Sequence, residues 1–173
     1  MVVIRRIEEP DALLREALVE LLLDSVRDGA SVGFLWPLEP GMARAYWQDV
    51  FAELPAGRML WVATQRDQVV GTVQLDPCHK PNGRHRAEVQ KLLVHSSRRG
   101  QRIASRLLAA LEAQARTAGL HLLVLDTLLD STADHVYRHL GWQHCGEIPA
   151  YAGAPDGVLH PTVLYCKILG PAH

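Results

Sequence analysis

The sequence lacks long apolar runs, a cysteine framework and a marked excess of charge of either sign. No apolar stretch approaches the roughly 20 residues that span a bilayer, and the opening MVVIRRIEEPDALL does not have the pattern of a secretory signal peptide. Cys78, Cys145 and Cys166 form no CxxC pair, which disfavours both a disulfide framework and a cysteine zinc site. We therefore expect a cytoplasmic protein without a membrane partner.

Charge and motif content disfavour several further classes of protein. The formal net charge of -1 and the isoelectric point near 6.7 argue against nucleic acid as the main partner. The nine histidines have no HExxH or similar ligand spacing, so no metal is expected. GxxxxGK(S/T) is absent, which disfavours a nucleoside triphosphatase, and GxGxxG is absent as well.

What the chain does contain is a regular alternation of strand and helix patterns. Strands are predicted over 2–7, 58–65, 68–75, 87–95, 120–128, 142–151 and 162–169. Helices are predicted from Pro10–Asp11 to Gly29 and over 42–54, 100–119 and 131–141. No repeat or linker divides the chain, so residues 1–173 are expected to form one domain, a mixed α/β sheet with helices on both faces.

The most informative unit is the strand–turn–helix EVQKLLV, HSSRRGQ, RIASRLLAAL. A helix N-terminus presents unpaired N–H groups and the positive end of the helix dipole, so it attracts anions. Gly100 allows close approach of the backbone to a phosphate, and Arg98, Arg99, Arg102 and Arg106 surround the same turn. One interpretation is a pyrophosphate site, and the other is a solvated basic helix start.

The segments KLLV, RRGQRIASRLL, LHLLVLDT and ADHVYRHLGW together resemble the GNAT superfamily of N-acetyltransferases. The acyl-CoA turn of that superfamily has the pattern Q/R-x-x-G-x-G/A, and alignment on Gly100 places Ser97 and Arg102 at the first and last positions, where both depart from it. Other stretches, among them GASVGFLWPL and KPNGRHRAEVQKLLV, extend the resemblance over nearly the whole chain. The resemblance implies a GNAT-like, mostly antiparallel sheet of about seven strands, splayed between two central strands and flanked by about four helices.

The resemblance also implies acetyl-CoA as cosubstrate and direct acetyl transfer to the amine of a small molecule or amino-acid-like compound, including enzymes of toxin or antibiotic resistance. The cosubstrate-binding residues that it implies are Leu92, Leu93, Val94, Arg99, Gly100, Gln101, Arg102, Ile103, Ala104 and Ser105. The family implies that the hydroxyl of Tyr137, in YRHLGW, protonates the leaving thiolate. A core tyrosine is the alternative.

Glu88 in AEVQ and Asp126 in LDT are the two carboxylates that the resemblance nominates for catalysis and for substrate binding. An ammonium must lose a proton before its nitrogen can attack a thioester, and a carboxylate can accept that proton. Glu88 could instead be an exposed edge residue, and Asp126 a helix cap. Phe34 and Trp36 are expected to form the apolar wall of the substrate pocket, or else a plug between the first two helices.

Two functions of other kinds stay open at this point. A degenerate turn could belong to a non-catalytic acyl-CoA-binding sensor, and the arginine cluster could serve an acetyltransferase acting on a protein- or RNA-linked amine. The sequence allows either a monomer or a homodimer.

Overall fold

The computed structural model describes residues 1–170, which form seven strands and four α-helices. In chain order these are β1 (Val2–Ile7), α1 (Ala12–Arg27), α2 (Pro40–Glu53), β2 (Met59–Gln65), β3 (Gln68–Pro77), β4 (Arg86–Val94), α3 (Ile103–Thr117), β5 (Leu122–Leu128), α4 (Thr132–His139), β6 (Gln143–Gly153) and β7 (Leu159–Ile168). The strands form one sheet in the order β1-β2-β3-β4-β5-β7-β6. Only β4 and β5 pair in parallel. The predicted fold class is confirmed, and residues 171–173 of the predicted domain lie outside the described residues.

The ends of these elements follow from local chemistry. Asp11 caps α1 by accepting a hydrogen bond from the backbone N–H of Leu14 at 2.7 Å. The β2–β3 hairpin turns at Arg66 and Asp67, as predicted, and both residues have positive φ. The helix predicted from residue 100 begins later, at Ile103, because two residues of the preceding turn have left-handed backbone.

Each face of the sheet is covered by one pair of helices. Helices α3 and α4 pack on one face, in a core that includes Leu107, Leu111 and Val73. Helices α1 and α2 pack on the other, with Leu18 and Trp47 fully buried. Each such side chain contributes roughly 1.5–3 kcal/mol on burial, so the two cores hold the central strands rigidly from both sides.

The central strands separate soon after they meet. The parallel pairing of β4 with β5 covers only Arg86–Glu88 against Leu122–Val124, although each strand continues further. On its other side, β4 pairs irregularly with β3 at Lys91, whose φ is +49°. A bulge bends a strand and re-aims its side chains. The two strands therefore enclose a gap in the middle of the sheet.

None of the helices within residues 1–170 has the length and apolar character needed to cross a membrane.

Candidate active site

A cavity of about 830 Å³ lies where β4 and β5 separate. Its walls are the α1–α2 loop, β4, the turn before α3, the end of β5, the start of α4, and the facing parts of β6 and β7. The predicted site residues that line it are Glu88, Leu92, Leu93, Val94, Arg99, Gly100, Arg102, Ile103, Ala104, Ser105, Asp126 and Tyr137. Residues predicted from four separate sequence segments thus share one cavity.

The N-terminus of α3 lacks the side-chain cap that is present in α4, whose start also lines the cavity. Ser131 caps α4 by accepting a hydrogen bond from the backbone N–H of Asp134. At α3 the N-cap residue is Arg102, with φ of +59° and no side-chain cap. Its first turn, 103–105, lines the cavity, so its orphan N–H groups remain available to an anion.

The basic turn before α3 combines free and anchored side chains. Gly100 has φ of +76°, and a Cβ added there would meet nothing within 4 Å. Arg98, Arg99 and Arg102 line the cavity, and Arg99 forms an ion pair with Asp28. The turn therefore faces the cavity with an open backbone and several cations.

Two residues that the sequence placed at this turn, Gln101 and Arg106, do not line the cavity. The side-chain oxygen of Gln101 accepts a hydrogen bond from Gln65 at 3.4 Å. Arg106 donates to the backbone oxygen of Val2 at 2.9 Å, which ties α3 to the first strand instead.

Asp24, which the sequence did not single out, holds the same turn from behind. This carboxylate is 6% exposed and accepts hydrogen bonds from the backbone N–H of Ser96 at 2.7 Å and from its hydroxyl at 2.9 Å. Burial acts to raise the pKa of Asp24, but the bonds from Ser96 and the nearby charges of His95 and Arg27 outweigh it and hold the pKa below its ordinary value. Asp24 thus stays ionised and fixes the turn on α1.

The backbone of β4 supplies a second kind of recognition surface. Beyond Glu88, the β5-facing edge of β4 has no partner strand among the described residues. Leu92, Leu93 and Val94 line the cavity along this edge. Free N–H and C=O groups of this kind can pair with an extended amide-containing chain as an added strand would.

The two candidate carboxylates line the cavity from the two strands that separate, Glu88 from β4 and Asp126 from β5. Glu88 is exposed although it belongs to a central strand, because the sheet opens into the cavity at this point. Asp126 lies on β5 and accepts a hydrogen bond from the hydroxyl of Thr162 at 3.0 Å. Ser131 caps the helix that follows, so Asp126 is not the cap. Both carboxylates are accessible to a ligand.

Tyr137 is both a core residue and a cavity residue. It is 5% exposed, its ring packs edge-on against Trp142 at 5.5 Å between centroids, and it lines the cavity. Burial and the negative charge of Asp126 raise the pKa of the Tyr137 hydroxyl far above its ordinary value. The hydroxyl therefore keeps its proton throughout the physiological range.

A buried network, also missed at the sequence level, holds the helix that carries Tyr137. Asp134 is 0% exposed and accepts hydrogen bonds from the Tyr165 hydroxyl at 2.5 Å and from Arg138 at 2.8 Å and 3.0 Å. Burial acts to raise the pKa of Asp134, but the bonds from Arg138, Tyr165 and the Asp130 N–H outweigh it and lower the pKa. The one local signal was the Asp-x-x-x-Arg spacing of residues 134 and 138, which puts both on one helix face.

The α1–α2 loop contributes its small residues to the site, but not its aromatic residues. Residues 29–33 line the cavity, whereas Phe34 and Trp36 do not. Phe34 packs edge-on against Tyr46 at 5.4 Å between centroids, and Trp36 is 42% exposed. Phe34 thus occupies the place of the alternative hydrophobic plug at the N-terminal helices.

Lys91 is another residue of the cavity that the sequence analysis left out. It breaks the alternation of polar and apolar residues in EVQKLLV, which was the available signal, since a regular strand alternates between its two faces. Among residues 1–170 there is no cluster of three or more histidine, cysteine, aspartate or glutamate side chains arranged to hold a metal ion.

Curated relatives of the chain include two N-acetyltransferases from rodents. Rat N-acetyltransferase 8 is 39% identical over 93 residues, which are 53% of this chain and 42% of the rat protein. Mouse N-acetyltransferase 8 is 40% identical over 93 residues, covering 53% of this chain and 41% of the mouse protein. The chain thus spans less than half the length of the curated relatives that it matches.

Solved structures share the fold over nearly the whole chain. Ribosomal-protein-alanine N-acetyltransferase from Brucella melitensis superposes with a TM-score of 0.80 at 24% identity, over 96% of this chain and 99% of that one. An aminoglycoside 6'-N-acetyltransferase in complex with coenzyme A gives 0.74 at 20% identity, over 99% of each chain. At these identities the likeness is one of fold.

The sequence profile of the acetyltransferase (GNAT) family matches residues 17–142. That match runs from the middle of α1 to the end of the segment after α4, and so includes both separating strands, the uncapped helix start and Tyr137. The expected fold and family are confirmed together: the chain belongs to the acetyltransferase (GNAT) family.

Proposed function

We propose that the protein transfers the acetyl group of acetyl-CoA directly to the amine of a small-molecule or amino-acid-like compound. The observation that carries the proposal is the composition of one cavity. It contains an uncapped helix start with arginines at one side and two accessible carboxylates at the other, with a protonated tyrosine between them. The first set fits a phosphorylated cosubstrate, and the second fits an amine that must lose a proton.

The residues present fit acetyl-CoA. The N–H groups of residues 103–105, with Gly100 beside them, would hold the pyrophosphate. Arg99 and Arg102 would contribute charge to the phosphates, and the free edge of Leu92–Val94 would pair with the pantetheine amides. The departures from the family pattern at Ser97 and Arg102 leave this backbone geometry in place, because N–H donors do not depend on side-chain identity.

Bound acetyl-CoA would supply an activated acetyl thioester. Glu88 accepts the proton of the acceptor ammonium, and Asp126, oriented by Thr162, holds that ammonium in place. The N–H of Val94 donates to the carbonyl oxygen on which negative charge develops. The neutral amine would attack the thioester carbonyl, so that a C–N bond forms and the C–S bond breaks, and the protonated hydroxyl of Tyr137 would give its proton to the departing thiolate. Glu88 would then release its proton to solvent, and Tyr137 would take one back.

The acceptor class rests on a closer resemblance within the family. GASVGFLWPL, KPNGRHRAEVQKLLV, LDT and YAGAPDGVLHPTVLY are similar to the corresponding stretches of the tabtoxin resistance protein. The first and last of these include cavity residues on the acceptor side, such as Gly33 and Tyr151. A small amine, including a toxin or antibiotic, is therefore the acceptor that we propose, and the cytoplasm is the place where acetyl-CoA would be available to it.

The test is the release of CoA thiol from acetyl-CoA over a panel of amines, amino acids and aminoglycosides. Acetyl-CoA should also raise the melting temperature, because a ligand that binds only the folded state stabilises it by mass action. A thermal shift without CoA release from any acceptor would favour the acyl-CoA-binding sensor. No shift at millimolar acetyl-CoA would contradict the proposal.

A further inference from the structure

Lys91 occupies its position because of the bulge in β4. Regular alternation would place residue 91 on the same face as Ala87 and Val89, which are buried in the core under α3. The irregular pairing with β3 and the left-handed φ of +49° change that direction. The Lys91 ammonium lies on the opposite face, 5.1 Å from the ring centroid of Tyr46 in α2.

The ammonium reaches the acceptor side of the cavity. A Cβ built on Gly33, in the α1–α2 loop, would lie 4.0 Å from Lys91 Nζ. Lys91 lines the cavity together with Glu88 and Asp126. It is half-buried, so its charge is partly removed from water between the loop and the strand.

The neighbouring guanidinium has its own partners, whereas Lys91 contacts no group of opposite charge within the part of the chain that the structure describes. Arg58 pairs with Glu53 at 2.5 Å and with Asp76 at 2.8 Å. Lys91 makes no ion pair with any carboxylate of residues 1–170, and Glu88 and Asp126 act on it only at longer range. Burial, together with the charge of Arg58, lowers the pKa of the Lys91 amine. A partly desolvated cation of this kind is stabilised by an anion that enters the cavity.

We infer that Lys91 binds an anionic group of the acceptor, and that the acceptor is an amine carrying a carboxylate, as in an amino acid or a related zwitterion. The inference rests on the proposed acetyl transfer and specifies its substrate class. Glu88 and Asp126 attract the ammonium, and Lys91 attracts the carboxylate. An α-amino acid carries both groups on one carbon, so a single small molecule satisfies both demands.

The experiment compares amino acids with their own carboxamides as acceptors, in the wild type, Lys91→Met and Lys91→Arg. Met keeps the length of the side chain and removes the charge, and Arg keeps the charge. The matched control is Lys80→Met, which removes the charge of an exposed lysine in the β3–β4 loop outside the cavity.

We expect the wild type to prefer each amino acid over its amide by about tenfold or more in kcat/KM, the scale of a charge-assisted hydrogen bond. Lys91→Met should collapse this preference, mainly through KM, while Lys91→Arg and Lys80→Met retain it. An equal loss for acids and amides in Lys91→Met, with a lowered Tm, would assign Lys91 a structural role and overturn the inference. Efficient transfer to amines that lack a carboxylate would overturn it as well and leave the proposed function standing. If no amine is acetylated, the proposed function is wrong, and the inference that rests on it is wrong with it.

Discussion

The proposed cosubstrate and acceptor sides of the cavity are built from different kinds of groups. The cosubstrate side uses the backbone: the N–H groups of the first turn of α3, Gly100 and the free edge of Leu92–Val94. The acceptor side uses side chains, namely Glu88, Lys91 and Asp126, with Tyr137 between the two sides. A backbone N–H group is kept when its side chain is substituted, whereas the charge of a side chain is lost. Substitutions on the acceptor side should therefore alter the reaction rate and the choice of acceptor. Substitutions on the cosubstrate side should weaken the binding of CoA only in part.

The largest effect is expected at the acceptor side, for the proton acceptor. Glu88→Gln keeps the shape of the side chain and removes its basicity, so kcat/KM should fall about 10²–10⁴-fold, with partial recovery at high pH where more amine is neutral. Asp126→Asn should mainly raise KM, because it weakens the hold on the ammonium. Complete pH profiles of both variants distinguish the roles, and unchanged profiles and KM in both would exclude this placement of the acceptor.

Tyr137→Phe tests the group between the two sides. The ring and its packing on Trp142 remain, and only the hydroxyl is lost, so kcat should fall about 100-fold if that hydroxyl acts as the general acid. The affinity for acetyl-CoA, measured by titration calorimetry, should stay nearly constant. Unchanged turnover would make Tyr137 a core residue alone.

Two buried carboxylates hold the elements behind the two sides of the cavity, Asp24 behind the turn before α3 and Asp134 behind α4. Asp134→Asn should lower the free energy of unfolding at pH 7 by about 2–3 kcal/mol, the scale of hydrogen bonds to a charged group. The folded-state pKa of Asp134, like that of Asp24, lies below its ordinary value. Its contribution is therefore complete above the unfolded pKa of about 4 and is lost as the pH falls through the lower folded value.

Urea denaturation from neutral pH to pH 3 checks this dependence. Asp134→Asn and Asp24→Asn should each flatten the acid limb of the stability curve, because the variant side chain does not titrate. Asp49→Asn, at an exposed position of α2, serves as control. Acid limbs that stay parallel to that of the wild type would contradict the assigned pKa directions.

The smallest effect is expected at the cosubstrate side. Arg99→Ala with Arg102→Ala should weaken CoA about tenfold, and dephospho-CoA less, if the two guanidinium groups serve the 3′-phosphate. The backbone donors of α3 remain in this variant, which limits the loss. Calorimetric titration of both ligands measures it, with the double variant of the exposed Arg66 and Arg84 to Ala as control. Equal losses for the two ligands would place these arginines elsewhere.

The sequence alone predicted most of the fold because its periodicities are local. Apolar alternation and helical spacing gave all seven strands and all four helices of residues 1–170, with deviations confined to their ends. The start of α3 was placed early because the sequence signal of a glycine does not indicate that Arg102 also adopts a left-handed backbone.

The residues of the candidate site were likewise predicted only in part. Glu88, Asp126, Tyr137 and the turn around Gly100 were nominated from motifs and lie around one cavity. Phe34 and Trp36 were nominated from residue type, yet only the direction of the loop backbone decides whether an aromatic faces the cavity or packs on α2. Gln101 was included by its place in the motif and faces Gln65 instead.

What the sequence by itself determined is the order of strands and helices and the strand–turn–helix around Gly100, since both depend on residues close together in the chain. The tertiary structure decided the rest. It brought Asp24 beneath the turn at Ser96, joined Asp134 to Tyr165, and turned Lys91 out of the core through a bulge in β4. Each of these depends on the register of strands or on contacts across tens of residues, which local periodicity does not encode.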